Sequence, residues 1–182
     1  MSIVRAVLLP AAVLGAAVAV RLFLAQGFSV PSASMRPTLL PGDYILVTPY
    51  RDQHRPSRQD VIVFRSGDKA LRFYVKRVIG LPGDYLQLRS GQVVVNGYTL
   101  SEPYLYGRGT SGTVMPQIVP HDCYFVLGDN RQESLDSRAM GLVPLAAVVG
   151  KARVVYWSTS VEASGTRRIS SIAWDRLLHR VH

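Results

Sequence analysis

A serine and a lysine are the residues of this 182-residue chain whose types and placing could do chemistry together. Ser34 lies in PSASMRPTL between Pro31 and Pro37, whose rings restrict the backbone on either side and could hold a hydroxyl in fixed geometry. A serine hydroxyl is a poor nucleophile until a neighbouring base takes its proton. Lysine can be that base only when neutral, and neutrality near pH 7 needs burial that disfavours the ammonium form. The basic side chains comprise eighteen arginines and only three lysines, Lys69, Lys76 and Lys151. Arginine keeps its proton, so the lysines carry the question. Lys76 lies in FYVKRVIG, where strand alternation gives it the face of Tyr74 and Val78. Lys69 falls in the turn RSGDKA, whereas Lys151, among Gly150, Ala152 and Arg153, remains a second candidate. Spacing alone leaves two readings open: a Ser34–Lys76 dyad, or a turn serine and a snorkelling strand lysine.

Other chemistries fail on context. The single cysteine, Cys123, excludes an intramolecular disulfide and a cysteine-based metal site. Residues 107–112 (GRGTSG) match G-x-G-x-x-G, but Pro116 and Pro120 interrupt the next stretch, and no helix can carry a dinucleotide site there. In His121-Asp122-Cys123 neighbouring side chains of a strand would point to opposite faces, so a turn is the better reading. His54 sits in a polar loop and His179 and His182 lie near the end, and there is no G-x-S-x-G elbow, so a Ser-His-Asp set is hard to assemble. No metal and no cofactor are expected.

The elements that must position the pair are mostly strands. DYILV (43–47), DVIVF (60–64), LRFYVKRVI (71–79), DYLQL (84–88), QVVV (92–95), CYFVL (123–127) and VVGKARVVYW (148–157) are separated by PGD, RSGD, LPGD, RSG, NG and LGDN turn chemistry. DYLQL and QVVV flank RSG as a hairpin. Helical periodicity is confined to the N-terminal run and to SIAWDRLLHRV near the end. The expected fold is mainly β, a compact barrel or paired sheets, with one N-terminal transmembrane helix. Residues 6–25 form that expected anchor, an apolar run broken only by Arg21, and about 20 residues at roughly 1.5 Å each just span a hydrocarbon core of about 30 Å. A cleavable signal peptide, with Ala17-Val18-Ala19 near its end, is the alternative. The formal net charge of +9 suggests an acidic partner, and the basic excess after Lys151 fits a domain resting on anionic lipid as well as a solvated face. The arginines are spread along the chain rather than clustered with aromatics, which argues against nucleic acid.

Three ordered blocks, PSASMRPTLLPGDYILV, VKRVIGLPGD and GDNRQESLDSRAMGLVP, resemble the boxes of bacterial type I signal peptidases, a family of Ser-Lys serine proteases. They run from Pro31 to Pro144 and follow an apolar segment, as the family's do. The resemblance implies a short cytoplasmic segment (1–5), the anchor (6–25), an extracytoplasmic peptidase domain (29–160) and a basic tail (161–182). It implies Ser34 as nucleophile and Lys76 as general base. The Ser32 hydroxyl and the Ser34 N–H would form the oxyanion hole, and Ser134 would orient the lysine. Met35 and Tyr74 match positions beside the dyad and the substrate groove. Asp129 and Asn130 match turn-shaping positions, and Asp136 and Arg138 an acid and base that brace the loop. The implied partners are signal-peptide-bearing preproteins and membrane lipid, with transient proximity to the secretion translocase. The implied location is the cytoplasmic membrane, with the catalytic domain on its extracytoplasmic face. The stretch from Ile79 to Asp122 is short beside the larger two-span members and is closer to the minimal ones. Self-cleaving Ser-Lys repressor-like proteins use a similar dyad, but no helix-turn-helix pattern is present here.

Overall fold

The computed structural model describes residues 25–51, 54–67, 72–107, 109–110, 116–164 and 167–182. The expected cytoplasmic segment and all of the expected anchor but Ala25 lie outside them, as does Lys69. Among the described residues no helix is long and apolar enough to cross a membrane.

The larger sheet takes β1 (Gln26–Ser29), β2 (Asp43–Thr48), β3 (Val61–Arg65), β4 (Phe73–Gly80), β9 (Cys123–Leu127), β10 (Val143–Pro144) and the long β11 (Val148–Ser164) in the order β1-β2-β11-β3-β4-β9-β10. β12 (Arg167–Ile172) and β13 (His179–Arg180) both pair with β11. A second sheet, of four strands, places β7 (Tyr98–Thr99), β6 (Gln92–Val95), β5 (Tyr85–Arg89) and β8 (Gln117–Ile118) side by side. The mainly β expectation holds, but the barrel does not form. Among the described residues β1 and β10 end an open ladder, and β5 to β8 build a separate sheet with its own core instead of closing the first.

Strand character follows from which faces are covered. In β2 Asp43, Ile45 and Val47 are buried while Tyr44 is exposed, the alternation of a strand covered on one side. β3 is central and reads as a continuous apolar run because both its faces are packed. Val61 and Val63 join one cluster with Met35, Leu39 and Ile45; Ile62 and Phe64 join another with Val78, Tyr124 and Val126. The two L-P-G-D sequences make the same turn. Asp43 and Asp84 accept the N–H of Leu40 (2.8 Å) and Leu81 (2.5 Å), and Gly42 and Gly83 take the positive φ values, +95° and +86°, that glycine tolerates best.

The segment SIAWDRLLHRV departs from its helical period. It ends β12, makes one 3-10 turn at Trp174–Arg176 and continues as β13. β11 offers free backbone partners: Leu178 N–H bonds Val155 O (2.8 Å), Val181 N–H bonds Arg153 O (3.0 Å), and Val181 enters the core. Pairing and burial outweigh the local helical preference. The basic tail is therefore part of the sheet.

Candidate active site

The nucleophile loop is fastened by its own apolar residues. Met35 and Leu39, four apart, both bury fully in the core of β2, β3 and β11, and Leu39 N–H bonds Met35 O (2.9 Å). This turn holds Ser34 at 6% exposure. β4 supplies the lysine. Its exposed start, Phe73, gives way to a buried run, so that Lys76 is 3% and Arg77 1% exposed. Lys76 Nζ lies 2.7 Å from Ser34 Oγ and 3.0 Å from Val75 O. Burial pushes the Lys76 ammonium down to about 8, against the opposing pull of Asp136 and Asp129.

Around this pair, Ser32 Oγ stands 3.3 Å from Ser34 Oγ, and the Ser34 N–H has no acceptor among the described residues. The Tyr74 ring centre is 6.0 Å from Lys76 Nζ, and the ring stacks on Phe64. A groove of about 540 Å³ opens between β1 and the start of β4, with Phe28, Val30, Ser32, Met35, Phe73 and Tyr74 in its wall and Ser34 and Lys76 at its base.

The segment after β9 ties loop to strand. Asn130 N–H bonds Ser34 O (3.1 Å) and its amide bonds Ala33 O (3.2 Å). Asp129, fully buried, accepts Thr38 Oγ1 (2.5 Å) from the nucleophile loop and both Arg77 Nε (2.8 Å) and Nη2 (2.7 Å) from β4. Asp136 takes Arg138 in a bidentate pair (2.8 Å each) and receives the Gly128 N–H (3.0 Å). Burial pushes the Asp136 carboxyl up, but Arg138 and the Gly128 amide outweigh it and hold the group below the usual range. Asp136 also caps α1 (Ser137–Met140). Gly128 is confined: a Cβ there would lie 2.5 Å from Ser134 Cβ and 2.5 Å from Ser34 O.

Every expected site residue thus lies in one neighbourhood, with one difference in contact. Ser134 Oγ is buried next to Gly128 and near the Asp136 carboxylate without a well-formed hydrogen bond among the described residues, and so makes none to Lys76. Lys151, the second candidate base, pairs instead with Asp60. Sequence reasoning passed over Arg77, Thr38 and the terminal stretch. Arg77 Nη1 donates to His182 O (2.6 Å), and the guanidinium lies 3.9 Å from the Tyr104 ring centre. Arg77 was signalled only by its place beside Lys76. Nothing local marks its partners.

The family model described as signal peptidase, peptidase S26 matches residues 3–157. The chain is 40% identical over 147 residues to a probable signal peptidase I-2 of Synechocystis sp., covering 78% of this chain and 67% of that one. It is 40% identical over 151 residues to signal peptidase I of Bacillus caldolyticus, covering 75% and 82%. A solved signal peptidase I from Enterococcus faecalis V583 aligns at 34% identity and a TM-score of 0.49, over 55% of this chain and 98% of that one. The chain belongs to the signal peptidase, peptidase S26 family.

Proposed function

We propose that the protein is a membrane-anchored endopeptidase that removes signal peptides from preproteins, with Ser34 as nucleophile and Lys76 as general base. One observation carries the reading: a buried amine 2.7 Å from a serine hydroxyl, with its pKa held at about 8. With that value roughly a tenth of the molecules hold a neutral lysine near pH 7, enough for a base that is regenerated each turnover. Ser34 Oγ attacks the scissile carbonyl as Lys76 takes its proton. The tetrahedral oxyanion is met by the Ser34 N–H and the Ser32 hydroxyl, and collapse expels the amine, which takes the proton from Lys76. Lys76, neutral again, takes a proton from water as the water attacks the acyl ester, and returns it to Ser34 Oγ as the acyl group leaves with the water's oxygen.

The substrate side follows from the groove. Among the described residues β1 ends the sheet, and its outer edge can accept an extended peptide by main-chain hydrogen bonds. The groove's apolar wall suits the small residues at −1 and −3 of a signal-peptide cleavage site. The apolar run at 6–25 would hold the domain on the membrane with Ser34 close to its extracytoplasmic surface, where a translocated preprotein emerges from the secretion translocase. Ser34→Ala and Lys76→Ala, each with circular dichroism as a folding control, should abolish preprotein cleavage; processing by either folded variant refutes the dyad. Protease accessibility on spheroplasts tests the location, and protection of the catalytic domain from external protease refutes it.

A further inference from the structure

We propose that a basic cavity at the end of β2, separate from the catalytic groove, binds the phosphate of an anionic phospholipid headgroup. The inference rests on the membrane-anchored reading. The cavity, about 630 Å³, is bounded by Thr48, Tyr50, Arg51, Arg55, Asp60 and Arg153, with Lys151 beside Asp60. A neighbouring cavity of about 530 Å³ shares Lys151 and Arg153 and adds Leu178, Arg180 and His182. Neither shares a residue with the groove at Ser34.

The charges in these walls are unevenly matched. Asp60, the only acidic side chain among the described residues of these walls, is buried and already accepts Tyr50 Oη (2.7 Å), the Ser57 N–H (3.0 Å) and the Lys151 ammonium. Its charge is therefore spent on Lys151. Arg51, Arg55 and Arg180 are exposed and form no ion pair among the described residues. Arg153 uses Nε on Thr48 Oγ1 (2.9 Å), which orients the guanidinium and leaves both terminal nitrogens without a described partner. Planar guanidinium forks around a concave floor match the oxygens of a phosphate, which can accept from several of them at once.

Two observations select a lipid over a free anion. β1 pairs antiparallel with β2, Gln26 opposite Val47, so Ala25 and the apolar run it ends join the domain at the Thr48 end, and Thr48 lines the cavity. Leu178, 75% exposed, lies in the wall of the adjoining cavity and offers an apolar contact next to the cations. Cation and exposed aliphatic side by side fit the boundary between headgroup and acyl chain.

The test is thermal melting of the full chain in nonionic micelles doped with phosphatidylglycerol or phosphatidylcholine. A ligand that binds only the native state raises the midpoint by mass action. Phosphatidylglycerol should raise it and phosphatidylcholine should not. The R55Q/R153Q variant should lose the shift, while R65Q/R89Q, which removes the same charge elsewhere, should keep it. If R55Q/R153Q does not fold, R51Q/R55Q, outside the strands, carries the same expectation. A shift that survives the cavity variants, or one equal in both lipids, overturns the proposal. So does inorganic phosphate matching phosphatidylglycerol at equal phosphate, which would mean a free-anion site, or an acidic peptide acting where the lipid does not. The readout is not cleavage, so its failure leaves the peptidase reading standing, and loss of that reading would leave the shift.

Discussion

Replacing Lys76 by methionine should make the protein more stable near neutral pH and less stable at high pH. A lysine whose pKa falls from 10.5 to about 8 carries a charged form that costs the fold about 3 kcal/mol, at about 1.36 kcal/mol per pKa unit. Against this, the variant loses the hydrogen bonds to Ser34 Oγ and Val75 O, worth about 1 kcal/mol each. Below pH 8 both folded and unfolded lysine are charged, and the burial cost is present in full. Between about 8 and 10.5 the unfolded chain holds a proton that the fold does not, so wild-type stability rises with pH across that window. Above it both forms are neutral and the cost is gone. The Lys76→Met variant should therefore gain on the order of 1 kcal/mol near pH 7, about 3 °C for a chain of this size, and lose about 2 kcal/mol above pH 10.5. Thermal melts of both proteins in the same micelles, stepped through this range, should cross. A variant destabilised by the same amount at every pH would show that the buried ammonium is not held at a cost, and the argument for a neutral base would fall with it. In the wild type, kcat/KM for preprotein cleavage should rise along a single acid limb near 8.

Gly128→Ala places a Cβ 2.5 Å from Ser34 O, and backbone carrying the nucleophile must move to admit it; cleavage should fall at least about tenfold, with a loss of about 1–3 kcal/mol in urea melts. Ser134→Ala removes a buried hydroxyl that lacks a well-formed hydrogen bond, so stability should hold or rise by up to about 1 kcal/mol. Its kcat should fall with KM unchanged if the hydroxyl meets Lys76 during turnover, and an unaltered kcat would remove Ser134 from the lysine-orienting role. Arg176→Leu leaves the fully buried Asp43 carboxylate without its cation and should cost about 3–5 kcal/mol, whereas Trp174→Ala, at a 70% exposed position, should stay within about 0.5 kcal/mol.

How much the sequence disclosed depended on how local the cause was. β2, β3, β5, β6 and β9 were legible because alternation or an uninterrupted apolar run with turn residues on both sides is a local pattern. β1 was not: QGFS has three exposed residues and one half-buried one, and it is a strand only because β2 offers it an edge. β10 and β13 are two-residue pairings with no period to detect. At the site, Ser34 and Lys76 are 42 positions apart, and spacing left their pairing one reading of two. The ordered boxes narrowed it, and contacts such as Arg77 with His182 O, across 105 positions, had no signal at all.

The arrangement of the arginines accounts for how a lysine stays unpaired in a site that holds two fully buried carboxylates. Asp129 and Asp136 are the groups that pull the Lys76 value upward. Each is instead taken by an arginine through both oxygens, Asp129 by Arg77 and Asp136 by Arg138. Strand alternation separates the neighbours Lys76 and Arg77, so one reaches Ser34 while the other meets Asp129. Since arginine keeps its charge at any working pH, the acids are neutralised permanently and burial decides the lysine. Arg138 is the partner that can be altered without touching β4. Arg138→Gln leaves Asp136 uncompensated, which should move the acid limb of kcat/KM from about 8 to higher pH, while Arg138→Lys, keeping the charge, should leave it in place. An acid limb that stays put in Arg138→Gln, with the variant folded, would mean that the arginines brace the loop and have no part in setting the base.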